Sequence, residues 1–167
     1  LDVNVIADKA RQYLVAEQDY RVYVDNKGWA NAIANTADLL KFLAYNTALD
    51  DTGLVGLLEA IAAKLTDPMP LPFMHDEDDR LARVVIAVLA RDVVDTEQWK
   101  TWLQSFVDWK TNNNLDVDYY PAYTSTYQNI KHFLRSFLVQ LEMMPNAPEN
   151  IDVLLPELKN TIRAFLI

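Results

Sequence analysis

An all-α fold is predicted by three features of this 167-residue sequence. Glycine occurs only at positions 28, 53 and 56. Apolar residues recur mainly at spacings of three and four rather than at alternate positions, the helical rather than the strand period, which also makes hairpins improbable. Prolines and short Asp/Asn/Thr clusters cut the chain into lengths suited to helices.

The first helix is expected from about Asp2 to Gln18. A short irregular stretch, 19–27, leads to Gly28, after which Trp29, Ile33, Ala37, Leu40 and Leu43 make one stripe of a second helix ending near Asn46. Asp50, Asp51 and Thr52 supply the cap and first-turn acids of a third helix, which stops before Thr66, Asp67 and Pro68. Three prolines within 68–74 lack backbone N–H groups, so that segment is a loop. The acidic run Asp76 to Asp79 opens a fourth helix through Val94, and Asp95-Thr96 restarts the chain as a fifth carrying Trp99, Trp102, Leu103, Phe106 and Trp109. After a polar connection at 111–121, a long sixth helix covers about Ala122 to Met144. A seventh follows Pro148, with Pro156 kinking it or splitting its first turn.

Alternate helices begin near residues 2, 51 and 96 and near 28, 76 and 122. This spacing of about 45–49 residues approaches that of HEAT or armadillo helix pairs. We therefore expect seven helices in antiparallel pairs forming an α-α superhelix; a compact helical bundle fits the same helices. The chain opens on Leu without a basic n-region or an apolar h-region, so no signal peptide is expected here. Residues 1–167 read as a single helical domain, the C-terminal part of a longer protein.

Composition excludes several function classes. The formal charge is −9, from 15 Lys+Arg against 24 Asp+Glu, and repels a nucleic-acid backbone. The longest apolar run, Val84 to Ala90, falls far short of the roughly 20 residues of a bilayer span, so no membrane partner is expected. The absence of cysteine removes disulfides, thiol catalysis and cysteine zinc sites, and leans the expected compartment to the cytoplasm. No phosphate-binding loop, G-x-S-x-G, G-x-G-x-x-G or H-E-x-x-H is present, and histidine occurs only twice.

Three polar stripes remain as candidates. Asn31, Asn35 and Asp38 fall at i, i+4 and i+7 of the second helix, and short amides and acids are poor helix formers for a merely solvated face. Arg80, Arg83 and Arg91 fall on one side of the fourth helix with Ala87 and Ala90 between them leaving room. The bland alternative there is Asp76–Arg80 and Asp79–Arg83 ion pairing in the first turns. Asn129, His132 and Ser136, with Arg135 beside them, mark the sixth helix. If the second, fourth and sixth helices lie side by side, these stripes line one concave wall. His75 with the following acids reads as a cap rather than a metal site, since consecutive positions point around a helix. Asp116 and Asp118 lack the glycine and closing glutamate of a calcium loop. Neither a metal nor another cofactor is expected, and the tryptophan stripe reads as core.

The run Asp19 to Leu40, and within it Lys27-Gly28-Trp29, resembles the signature of a bacterial domain-of-unknown-function family, number 2785. Asp78-Asp79-Arg80 with Arg83, and Asn129 with Phe133 to Ser136, are similar to two later segments of that family. The resemblance covers most of the chain and implies a helical domain without an assigned activity. It also implies histidine in many relatives at the positions of Asn31 and Asn35, followed by Asp38. Such a trio can hold a metal or move protons, whereas asparagine preserves only hydrogen bonding.

The expected function is a non-enzymatic interaction domain taking a peptide or small polar ligand, with candidate contacts Arg21, Trp29, Asn31, Asn35, Asp38, Arg80, Arg83, Asn129, His132 and Arg135. Two alternatives stand beside it: a hydrolase-like or metal-dependent enzyme around Asp38, Arg80 and His132, and a structural segment associating through the Trp99–Trp109 helix.

Overall fold

Helices start where an aspartate precedes an apolar-periodic run. Asp2 accepts the N–H of Asn4 at 2.9 Å, and Asp50 accepts that of Gly53 at 2.7 Å. Asp95 and Gln98 cap reciprocally, each side chain accepting the other's backbone N–H, at 2.8 and 3.0 Å. The computed structural model describes residues 2–113, 121–146 and 151–166, and of 121 and 122 the backbone only. It contains α1 (Val3–Ala16), β1 (Tyr23–Val24), β2 (Gly28–Trp29), α2 (Ala32–Tyr45), α3 (Asp51–Thr66), α4 (Glu77–Leu89), α5 (Thr96–Asn113), α6 (Pro121–Glu142) and α7 (Ile151–Ala164). The fold is all-α, and among the described residues no helix is long and apolar enough to cross a membrane.

The helices pack in two layers. In one, α1, α3, α5 and α7 contact their neighbours in turn; in the other, α4 lies between α2 and α6. α4 is the most enclosed helix, with Leu81, Ala82, Val84, Val85, Ala87 and Val88 at zero exposure. Its apolar run is continuous because both sides of the helix are covered. The tryptophan stripe of α5 turns inward, where Trp102 meets Phe106, Phe133 and Phe137 edge-on and donates its Nε1–H to the Leu58 carbonyl at 2.8 Å.

Several sequence expectations are corrected. The second helix begins at Ala32, not after Gly28: Gly28 (φ 89°) and Asn31 (φ 44°) are left-handed, and between residues 23 and 29 the chain makes a small antiparallel hairpin pairing Tyr23 with Trp29. Trp29 therefore leaves the helical stripe and is 62% exposed. The fourth helix ends at Leu89, because Asp92 is left-handed and Arg91 bends back to donate to the carbonyls of Ala44 in the last turn of α2 and of Asn46 and Leu49 beyond it. Pro156 does not split the first turn of the seventh helix: it lies further along α7, which continues through it. The connection expected at 111–121 starts as the last turn of α5, and the remainder, with Asp116 and Asp118, lies outside the described residues.

The connectors are fixed by polar anchors. Lys64 of α3 is fully buried and donates to the Glu17 carbonyl and the Tyr20 hydroxyl, holding the stretch that leaves α1. The proline-rich loop before α4 is stapled to α6: Met69 N–H donates to Thr126 Oγ1 at 2.9 Å and Phe73 N–H to Asn129 Oδ1 at 2.6 Å.

Candidate functional site

α4 packs against both α2 and α6, so the three helices lie side by side and present a common wall. Along it the chemistry changes from polar to apolar.

The polar half is engaged with itself. Arg80 donates to Asp38 Oδ2 at 2.6 Å across α2 and α4, and Lys41 adds a looser contact to Asp38 Oδ1 at 3.6 Å. Asp79 reaches the other way, to the Ser136 hydroxyl and to Gln140 Nε2 of α6. The expected Asp76–Arg80 and Asp79–Arg83 pairs are replaced by these bonds between helices. Asp78, half-buried between Asp79 and His132, has its carboxyl pushed above the usual aspartate range by burial and by the Asp79 charge, with His132 opposing. Asn129 is not on the open wall: it has zero exposure and holds the proline loop with both amide atoms, the second at 3.4 Å from Met69 Sδ. Nor do Ala87 and Arg91 shape it, the first being buried and the second spent on the carbonyls in the last turn of α2 and beyond it.

The apolar half lies toward the C-terminal ends of the same helices. There a groove of about 630 Å³ runs between Phe42, Tyr45, Ile86, Val139, Met143 and Pro145, with Lys41 and Arg83 at its edge. Phe42 is 67% and Met143 77% exposed, large values for residues whose apolar surface favours burial. Among the described residues Arg83 has no ion-pair partner, while Lys41 lies over the Phe42 ring at 4.7 Å.

A third region sits at the N-terminal ends of α2 and α4. Trp29 stands edge-on to Tyr23 and to His75. His75 also lines a cleft of about 100 Å³ between the stretch 19–22, the start of α2 and the proline loop. Arg21 grips Asp19 with two bonds of 2.8 and 2.6 Å, which hold the Asp19 carboxyl down at about 2. Asn31 caps no helical N–H with its side chain, and its Oδ1 is buried without a donor. Asn35 is exposed and ties back to the Ala30 carbonyl at 3.3 Å.

The structure thus joins Asp38 with Arg80, sets Arg21 and Asn31 at one cleft whose His75 touches Trp29, and leaves Asn35, Arg83 and Arg135 exposed on α2, α4 and α6. His132 is half-buried beside Asp78. Sequence reasoning missed the groove. Its signal was present in α2, where Leu39, Phe42 and Tyr45 repeat on the side away from Ile33, Ala37 and Leu40, so the helix is apolar on more than one face. Among the described residues no three His, Asp or Glu side chains gather closely enough to hold a metal.

Comparison with known families decides one point. The model of a family described as a protein of unknown function (DUF2785) matches residues 2–139. The chain belongs to that family. Its matched span covers α1 to α5 and most of α6, and so includes the hairpin, the cleft and the whole seam between α2 and α4. No curated protein and no solved structure matches the chain.

Proposed function

We propose that this family member is a non-enzymatic docking domain that holds a peptide segment bearing apolar side chains and a carboxylate in the groove between the C-terminal ends of α2, α4 and α6. The observation that carries the reading is the coincidence of exposed Phe42, Tyr45, Val139 and Met143 with the guanidinium of Arg83, which has no ion-pair partner among the described residues. On a protein of charge −9, cations at the edge of an apolar groove favour an acidic partner over other apolar ones. Aromatic and methionine side chains supply adaptable contact area at such surfaces. Asp38 and Arg80 neutralise each other, which argues for cohesion rather than chemistry at the polar half. The two-layer order of helices supports a HEAT- or armadillo-like superhelix, whose inner helices commonly carry the binding surface. The lack of cysteine supports a reducing compartment, the cytoplasm.

A random 12-residue peptide library displayed on phage tests the reading. Selection on the wild-type protein should enrich acidic sequences with two or more large apolar residues, and Phe42→Ala, Met143→Ala and Arg83→Glu should each weaken capture by tenfold or more with unchanged circular dichroism. Absence of enrichment, or selected peptides that bind all three variants as well as wild type, would overturn it.

A further inference from the structure

We propose that the cleft between the 19–22 stretch, the start of α2 and the proline loop is a binding site for a primary ammonium group, independent of the peptide groove. Asn31 and Glu77, from different elements, both line the cleft. Asn31 Oδ1 is buried and, among the described residues, faces no donor; a buried acceptor left so costs roughly 1–3 kcal/mol. Glu77, at 6% exposure, takes the His75 N–H at 2.8 Å but has no ion-pair cation among the described residues. The other charges lining the cleft cancel, because Arg21 is bound in two-pronged fashion to Asp19. Among the described residues, one carboxylate therefore lacks a counter-charge in the same cleft as an acceptor that lacks a hydrogen. A single cation with several N–H donors answers both, and an ammonium group has three.

The rest of the lining selects the body of the ligand. Ile33, Leu71, Pro72 and Phe73 are apolar and leave about 100 Å³, enough for a short alkyl chain and too little for a bicyclic body. The chemistry is shared by a free alkylamine and by a lysine side chain presented by another protein. A cluster of ordered waters is the competing occupant, since a space of this volume holds about three at roughly 30 Å³ each.

Titration with n-butylammonium chloride, followed by the amide NMR signals of Ala32, Ile33 and His75 and the Asn31 side-chain NH2 at constant ionic strength, tests the proposal. We expect saturable shifts, affinity at least tenfold lower for 1-butanol and for Glu77→Gln, and higher affinity for Asn31→Asp, which adds a second negative charge at the orphaned acceptor. Thermal melts check that both variants fold; Gln retains the acceptor for His75 N–H. No saturable shift means that only water occupies the cleft, equal binding of the alcohol means an apolar crevice, and an unchanged Asn31→Asp affinity removes the acceptor from the site; each overturns the proposal. In a parallel arm, tighter binding of acetyl-Gly-Lys-Gly-amide than of n-butylammonium assigns the ammonium to a protein lysine, and weaker binding to a free amine.

Discussion

The two halves of the wall formed by α2, α4 and α6 invert the usual guess about where a ligand binds. Around the first turns of α4 the side chains are charged or amide-bearing, yet Arg80 has found Asp38 on α2, Asp79 has found Ser136 and Gln140 on α6, and Asn129 holds the proline loop. Toward the C-terminal ends the side chains are apolar, and they are the ones left in water. Polar groups buried between helices must be satisfied internally, so they become adhesive; the chemistry left over for a partner is apolar surface with a spare cation.

The contrast is most strongly tested at Asn129. Replacing it by alanine leaves the buried Phe73 N–H without its acceptor and loosens the loop that leads into α4, and we expect a loss of about 2–3 kcal/mol in chemical denaturation. A loss below about 0.5 kcal/mol would place Asn129 among ordinary surface polar residues and dissolve the distinction between the halves.

How far the sequence could be read follows from the same distinction. Helix starts at Asp2, Asp50 and Asp95 were legible because capping is local, and the inward tryptophans of α5 because their spacing is helical. The order of layers followed from spacing. The start of α2 was not legible: Trp29 continues the helical stripe in sequence, and only the left-handed backbone at Gly28 and Asn31 takes it out. The role of Asn129 was hidden as well, since its partner Phe73 lies 56 residues away. Arg80 was read as a candidate ligand contact, with pairing to Asp76 on its own helix as the bland alternative, when the carboxylate that claims it is Asp38 on α2. Periodicity shows which side a residue faces, and not whether a neighbouring element has already claimed it.

A smaller effect is expected at the Asp38–Arg80 pair. With the two side chains 34% and 28% exposed, the pair is screened by solvent, and Arg80→Ala should cost about 0.2–1 kcal/mol at low salt, shrinking in 1 M NaCl. A cost above about 2 kcal/mol, insensitive to salt, would show that Arg80 braces the seam through packing of its stem rather than by charge.

Asp78 sharpens the contrast through pH. Its carboxyl is raised in the folded state, so the unfolded chain releases this proton more readily, and the ionised form costs stability at neutral pH. That cost fades as pH falls through the folded value and is gone below the ordinary aspartate value near 3.8. Asp78→Asn should therefore stabilise the protein modestly at pH 7 and make no difference at pH 3, as read by thermal melts across the range. A destabilised variant at pH 7 would mean that the first-turn acid supports α4 more than burial penalises it.

The smallest stability effect belongs to the groove, and its smallness is the point. Phe42 and Met143 already face water, so truncating either to alanine removes little buried area and should move stability by no more than about 0.5 kcal/mol. If either variant loses 2 kcal/mol, the groove is part of the core and its apolar lining needs no partner to explain it. If stability is unchanged while capture of an acidic, apolar peptide falls tenfold, the same side chains are silent in folding and decisive in recognition, as expected of a contact whose apolar surface is covered only when a partner arrives.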